Sequence, residues 1–276
     1  MKEFQIFIKA KSDKSIHTRK MYYDVISKFL KSMKVETIED LQNLSASQLR
    51  DYILSKDMKA SSKNSIIRVL KSFFSFLFDN DFLTVNQMTK VKKQSEGKHM
   101  IKMPSVDEMK IIMDNCTNNV THLQIGLMSR MGLRRSEITN IQLKDICEDG
   151  KLLVRGKGNK EGILKLPNDL FEEIKKYISH KNRVESEFLF SYNGNQISTT
   201  AINIRITEYI SSLGFSPERA KIITPHSFRR RCGTNVYNKT KDPYAVKAIL
   251  RHSSLAVGER YVGSEQSEFE YVSENL

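Results

Sequence analysis

The strongest constraint on the fold is a break in the apolar pattern at residues 90–103, KVKKQSEGKHMIKM. This stretch is polar and basic, contains Gly97, and lacks a regular repeat of apolar side chains. On either side of it, apolar residues recur at helical or strand spacing, so each side can form its own core. We therefore predict two domains, residues 1–89 and 104–276, joined by a linker over 90–103.

The first domain is predicted to be a compact bundle of four or so helices. Residues 15–33, 44–56 and 61–81 each place apolar side chains three and four positions apart, and Ser45 stands where an N-cap is expected. The third segment carries a wide apolar face that includes Phe73 and Phe74. We interpret this face as core packing and not as a surface for stacking bases.

The second domain is predicted to combine helices with one β-hairpin. Two β-rich runs, LLVRG at 152–156 and GILKLP at 162–167, flank the polar tip KGNKE. Helical patterns precede and follow them, and Pro104 with Ser105 predicts the start of the first helix. The expected fold class is therefore mainly α with a small β-hairpin, an α+β architecture.

The charge of the chain favours a polyanionic partner. The sequence has 45 Lys and Arg against 32 Asp and Glu, a net charge of +13. Residues 1–101 hold 19 of the basic and 11 of the acidic residues, so both parts of the chain are basic. Two basic domains on a basic linker suit a protein that closes around a nucleic-acid duplex, although a basic protein without such a partner can have the same composition.

Other classes of protein are disfavoured. No run of about 18 apolar residues indicates a membrane span, and the first residues do not resemble a signal peptide. Cys116, Cys147 and Cys232 form no CxxC pair, so neither a zinc site nor a disulfide framework is indicated. A reduced, cytoplasmic location is the simplest expectation.

Six side chains of the second domain have the types needed for phosphoryl transfer on a diester. A guanidinium grips phosphate oxygens, a histidine accepts or relays a proton, a lysine protonates a leaving oxygen, and a tyrosine can be the nucleophile. The candidates are Arg134, Lys157, His226, Arg229, His252 and Tyr261. No acidic cluster that suits Mg²⁺ accompanies them, so neither a metal nor another cofactor is expected.

The blocks GLRRSEI, RGKGNKEGILKLP, TPHSFRR and LRHSSLAVGERYV together resemble the signature boxes of tyrosine recombinases. They occur in the same order and at similar separations, and the resemblance is to the compact Xer-like and integrase branch of that family. It covers essentially the whole chain. It implies an N-terminal, SAM-like core-binding domain and a C-terminal catalytic domain.

The resemblance also implies a role for each candidate. Arg134 and Arg229 correspond to the pair that clamps the scissile phosphate, and His252 to a hydrogen-bond donor to that phosphate. His226 corresponds to the proton acceptor or relay.

Two further positions correspond to the groups that make and break bonds. Tyr261 is expected to attack the phosphate and form a 3′-phosphotyrosine, while Lys157 protonates the 5′-oxygen. Among the tyrosines, Tyr261 has the family spacing after His252; Tyr237, Tyr244 and Tyr271 are its competitors. The energy of the cleaved bond stays in the phosphotyrosine, so neither ATP nor a metal is required.

Two positions depart from the family pattern. The family often has histidine where this chain has Arg230, and glycine where it has Arg251. Arg230 and Arg231 are expected either to contact flanking phosphates or to face solvent. A structural alternative for Arg134 is an ion pair with Glu137 at a helix end.

The expected function is site-specific recombination of double-stranded DNA by a homo-tetramer, as the integrase or excisionase of a mobile element. An alternative within the same chemistry is an Xer-type resolvase of replicon dimers. An alternative of another class is a catalytically silent DNA-binding protein on the same scaffold. The sequence specifies no accessory protein, and the tail after Tyr261 can pack on its own chain or on a neighbouring protomer.

Overall fold

The structure is a computed structural model that describes residues 1–95, 102–156, 161–181 and 183–251. The chain divides into two compact units, Met1–Lys98 and His99–Leu276. Each unit has an apolar core of its own. The division falls inside the stretch where the apolar pattern of the sequence breaks.

The first unit is a helical bundle, as predicted. Its described residues form five α-helices and one 3₁₀ turn: α1 Lys2–Ala10, α2 Ile16–Met33, α3 Ile38–Gln42, α4 Ala46–Leu54, α5 Ala60–Asp79 and the turn Gln87–Lys90. Side-chain caps set several of the starts. The Ser15 hydroxyl accepts from the backbone of Thr18 before α2, and Ser45 forms a capping box with Gln48 before α4.

The aromatic face of α5 lies in the core of the first unit. Phe73 and Phe74 are almost fully buried and meet Phe7 and Phe29 edge-on. Aromatic rings buried in this geometry contribute large apolar areas to a core. The interpretation of this face as core packing is confirmed.

The first unit continues beyond the predicted end of the first domain at residue 89. Val91 is buried in its core. The Asn64 side chain, on α5, donates to the carbonyl of Gln94 at 2.9 Å and accepts from its N–H at 2.7 Å. These contacts fix the chain to the bundle as far as Gln94, inside the stretch predicted as linker.

The second unit combines helices with two short antiparallel hairpins among its described residues. Its helices are α6 Val106–Asp114, α7 Asn119–Met131, α8 Arg135–Thr139, α9 Asn168–Ile178, α10 Thr199–Ser212, α11 Pro217–Ala220, α12 Pro225–Thr240 and α13 Pro243–Leu250, with a 3₁₀ turn at Leu143–Asp145. Its strands are β1 Lys151–Arg155, β2 Glu161–Lys165, β3 Ser191–Tyr192 and β4 Asn195–Gln196. The predicted fold class, mainly α with a small hairpin, is confirmed.

The hairpin predicted from the sequence is formed by β1 and β2. Lys151 pairs with Lys165, and Arg155 pairs with Glu161 at the end nearest the tip. The Arg155 guanidinium donates to Asp145, whose side chain is buried, at 2.5 Å. This ion pair holds the end of β1 nearest the tip against the 3₁₀ turn that contains Asp145.

Helices α7 and α12 bring the candidate site together. They pack against each other, and α13 packs on α12. Gly132 ends α7 in a left-handed conformation, with φ of 62°, and the chain turns there toward α8. A Cβ at Gly132 would come within 2.5 Å of Leu250 and 3.2 Å of Cys232, so only glycine fits this turn. None of the described helices is long and apolar enough to cross a lipid bilayer.

Candidate active site

The N-terminal turn of α12 carries two of the predicted site residues. Thr224 caps the helix through a reciprocal pair of hydrogen bonds with Ser227, and Pro225 occupies its first position. His226 and Arg229 follow at a spacing of three and therefore lie one turn apart. His226 is exposed, whereas only 3% of the Arg229 side chain is exposed.

The buried guanidinium of Arg229 is held by groups from two other parts of the unit. Its Nη1 donates to the carbonyl of Gly132 and its Nη2 to the carbonyl of Leu250. Its Nη1 also lies 3.8 Å from Oε2 of Glu137. A buried cation requires such partners because the loss of hydration is costly.

Arg134 stands at the start of α8, next to the turn at Gly132. Its backbone N–H donates to Oε2 of Glu137 at 2.8 Å, and its Nη1 donates to Oε1 at 2.6 Å. Its Nη2 donates to the carbonyl of Arg251 at 3.3 Å. The side chain remains 38% exposed, so this guanidinium reaches the surface beside the buried Arg229.

Glu137 links these groups. Its side chain is 1% exposed and also accepts from Nη2 of Arg251 at 2.8 Å. Burial alone would raise the pKa of this carboxyl, but the Arg134 N–H and the charges of Arg251 and Arg134 outweigh it and hold the pKa below its ordinary value. The carboxylate is therefore ionised and orients three guanidinium groups.

The ion pair considered as the structural alternative for Arg134 is thus present. It does not exclude a role in phosphate binding, because one carboxylate cannot neutralise the charge of the cluster formed by Arg134, Arg229 and Arg251. We refer to these three arginines as the arginine cluster. An excess of positive charge at a partly exposed surface is suited to an anion.

Loss of hydration and the positive charges around His226 lower the pKa of its imidazole. Loss of hydration, followed by the charges of Arg230, Arg229, Arg135 and Arg134, lowers its pKa from 6.5 to about 4. Because the imidazole is exposed, the neighbouring positive charges are the cause that persists in water. His226 is neutral at pH 7 and can accept a proton.

The β1–β2 hairpin lies beside the arginine cluster. A Cβ at Gly162, on β2, would be in contact with Cδ of Arg251 at 3.4 Å. The hairpin tip with Lys157 lies outside the described residues, as do His252 and Tyr261. The structure therefore brings together Arg134, Arg229 and His226 and leaves the other three assignments as predictions.

Two competitors for the role of nucleophile are described. Tyr237 is buried in a small apolar cluster with Cys232, Val246 and Leu250, which argues against attack on a DNA phosphate. Tyr244, on α13, is 63% exposed. Tyr271 lies outside the described residues.

The sequence did not reveal the shared role of Glu137 or the third member of the cluster. Glu137 was expected only as a partner of Arg134, and Arg251 only as a departure from a family pattern. The expectation that Arg231 can simply face solvent is corrected, because this residue is only 7% exposed. Arg230 is half-buried. Burial at these positions depends on helix packing that the local pattern does not contain.

Comparison with known families gives two matches along the chain. Residues 102–268 match the phage integrase family, and residues 1–81 match the N-terminal, SAM-like domain of phage integrases. The first match covers more than half of the chain and includes all six predicted site residues.

Individual proteins match over nearly the whole length. Tyrosine recombinase XerC of Listeria innocua is 25% identical, with 94% of this chain and 91% of that protein covered. XerC of Vibrio vulnificus is also 25% identical, with 94% and 84% covered.

Solved structures match in fold. The recombinase XerH bound to a palindromic difH substrate has a TM-score of 0.77 at 18% identity, covering 96% of this chain and 82% of that one. A lambda integrase fragment bound to a core site has a TM-score of 0.74 at 16% identity, with 95% of both chains covered.

Proposed function

The chain belongs to the phage integrase family, and from this premise we propose that it is a tyrosine recombinase that cleaves and rejoins double-stranded DNA at specific sites. The observation that carries the proposal is the convergence of Arg134 and Arg229 on Glu137 beside the exposed His226. Full-length similarity to XerC proteins supports the same reaction class. The net charge of +13 supports a polyanionic substrate.

The scissile phosphodiester binds at the exposed edge of the arginine cluster. Arg134 reaches the surface there, and the buried Arg229 is already oriented by two backbone carbonyls. Donors that are fixed before the reaction stabilise the charge that develops on the phosphate without reorganising. This preorganisation is the contribution of the described residues.

Tyr261 is the proposed nucleophile. Its phenolic oxygen attacks phosphorus, the bond to the 5′-oxygen breaks, and a 3′-phosphotyrosine with a free 5′-hydroxyl results. Lys157 supplies the proton to the 5′-oxygen, and His226 takes the proton of the phenol, which its neutral state at pH 7 permits. His252 donates a hydrogen bond to the phosphate. Attack by the 5′-hydroxyl of a partner duplex reverses these steps and joins the exchanged strands.

Two biological roles share this chemistry. The integrase or excisionase of a mobile element is the first. Similarity to XerC of Listeria innocua over 91% of that protein favours the second, the resolution of replicon dimers. In either role we propose a homo-tetramer on two duplexes, since two strands of each duplex must be exchanged. The cytoplasmic location remains a prediction.

The test is covalent trapping on DNA. Bound fragments are first selected from genomic DNA, and a nicked substrate made from them is then incubated with the protein. The wild type should give an adduct that survives SDS, and Tyr261→Phe should give none at unchanged affinity, because only the phenolic oxygen is lost. Tyr244→Phe is the matched control and should retain the adduct.

Each outcome discriminates between the alternatives. Binding without any wild-type adduct would identify the silent DNA-binding protein. An adduct with Tyr261→Phe would move the nucleophile to another residue. Conversion of a plasmid dimer with two identical sites to monomers indicates a resolvase, whereas recombination only between two different sites indicates an integrase.

A further inference from the structure

Arg251 adopts a backbone conformation that is unfavourable for its residue type. It follows the last residue of α13 with φ of 50° and ψ of 49°, in the left-handed region. A side chain with a Cβ is disfavoured there, and such a residue is retained where the surrounding structure determines its position. The contacts of its side chain indicate what holds it.

The Arg251 side chain ties three parts of the second unit together. Its Nη2 donates to Oε2 of Glu137 at 2.8 Å and to the carbonyl of Gly132 at 3.3 Å. Its Nη1 donates to the carbonyl of Ile249 at 2.9 Å, and its Cδ lies against Gly162 of the hairpin. Only 18% of the side chain is exposed.

Arg251 lies closer than Arg229 to the same carboxylate oxygen of Glu137. Oε2 of Glu137 lies 2.8 Å from Nη2 of Arg251 but 3.8 Å from Nη1 of Arg229. Three guanidinium groups with one carboxylate leave two net positive charges, whereas two guanidinium groups with the same carboxylate leave one. A phosphodiester carries one negative charge and gains a second as the nucleophile attacks, so the cluster with Arg251 matches the transition state better than the ground state.

We propose that Arg251 is a positioning residue that acts through Glu137: it occupies one carboxylate oxygen and leaves the charge of Arg134 and Arg229 available to the reacting phosphate. This inference rests on the proposed recombinase function. It assigns a rate effect to a residue that need not touch the DNA.

The experiment compares Arg251→Gly, Arg251→Ala and Arg251→Lys in the full chain. Single-turnover adduct formation is measured at saturating DNA, together with the dissociation constant and the melting temperature. Arg251→Gly relieves the left-handed strain but loses the bonds to Glu137 and the Gly132 carbonyl, so these opposing effects should keep its melting temperature near that of the wild type. Its cleavage rate should nevertheless fall by about 10-fold to 100-fold, with affinity changed by less than about threefold.

The other variants separate charge from backbone effects. Arg251→Ala keeps a Cβ at the left-handed position and should lose as much rate as Arg251→Gly. Arg251→Lys keeps the charge without the planar fork and should lie between them and the wild type. Lys241→Gly, at the left-handed end of α12 far from His226, makes the same cation-to-glycine change and should cleave at the wild-type rate.

The outcomes also separate this inference from the proposed function. No adduct with the wild type would overturn both. A wild-type adduct with equal rates in the Arg251 variants would overturn the inference alone. Rates that fall only in proportion to the melting temperature would assign Arg251 a structural role and overturn the inference. A loss confined to DNA affinity would assign it a DNA-binding role and overturn the inference as well.

Discussion

Arg134 and Arg229 serve one cluster but differ in how strongly the fold depends on them. Arg134 is 38% exposed, and its backbone N–H, which any residue supplies, makes one of its contacts with Glu137. Arg229 is buried and donates to the carbonyls of Gly132 and Leu250, each of which would lose this donor if Arg229 were removed. Truncation of Arg134 therefore reports on chemistry with less disturbance of the fold.

We expect Arg134→Ala to slow adduct formation by about 10²-fold to 10³-fold, the usual effect of removing one donor to a developing oxyanion. Single-turnover cleavage at saturating DNA measures this. Arg130→Ala is a matched control, because Arg130 is also 38% exposed and pairs with an acidic residue, Asp169. Equal rates for Arg134→Ala and the wild type would remove Arg134 from the phosphate site.

The pKa of His226 predicts how stability depends on pH. The folded protein holds this pKa at about 4, below the ordinary 6.5. Between these values the unfolded chain binds more protons, so stability should fall as the pH falls from 6.5 to 4, and His226 should contribute no change above 6.5.

Melting temperatures across this range, compared for the wild type and His226→Gln, measure that contribution. The variant should lose less stability than the wild type on acidification, and the difference should be small because the ring is exposed to solvent. Parallel curves would show that the arginines do not act on His226 in solution.

At the scale of elements, the turn between α7 and α8 supports the whole cluster. The carbonyl of Gly132 accepts from both Arg229 and Arg251, and the residue has φ of 62°. We expect Gly132→Ala to lower the free energy of unfolding by about 2–4 kcal/mol, from left-handed strain together with the clash against Leu250. Urea unfolding measures this.

Gly214→Ala separates the two contributions. Gly214 has φ of 76°, and a Cβ there meets nothing within 4 Å, so this variant should lose only the strain energy, about 1–2 kcal/mol. Equal losses for the two variants would mean that Leu250 and Cys232 move aside at no cost and that the turn is not a tight support.

The elements that the sequence predicted are those with local causes. Ser45 and Ser105 begin helices because each caps the N–H three residues later, and the β1–β2 hairpin follows from two β-rich runs around a polar tip. Arg134 and Arg229 were identified by resemblance, and the structure brings both onto Glu137.

What could not be predicted depends on contacts between distant positions. Glu137 and Arg251 are 114 residues apart, and their hydrogen bond forms because α13 packs on α12 and α12 packs on α7, which leads into α8. Beyond the loss of hydration, the low pKa of His226 has both kinds of cause, since Arg229 and Arg230 lie three and four residues away on the same helix, whereas Arg134 and Arg135 are brought to it by packing.

At the scale of the whole molecule, two separate cores suggest that the two parts of the chain fold independently. The buried apolar residues of the first unit end at Val91, and those of the second begin at Ile112. Residues 1–101 and 102–276 can therefore be prepared as separate fragments. The first has 19 basic and 11 acidic residues, so both fragments, like the full chain, carry net positive charge.

If both units grip the same duplex, each fragment should bind DNA much more weakly than the full chain. Joining two weak sites raises the effective concentration of the second to the mM range, and a chain that contacts more phosphates releases more counterions. The affinity of the full chain should therefore fall more steeply with salt, by about 0.9 in the logarithmic slope for each additional phosphate contact.

Binding of the full chain and of both fragments across a salt series measures this, with melting curves to establish that each fragment is folded. Equal affinity and slope for residues 102–276 and the full chain would mean that the first unit does not hold DNA and serves assembly or another partner instead.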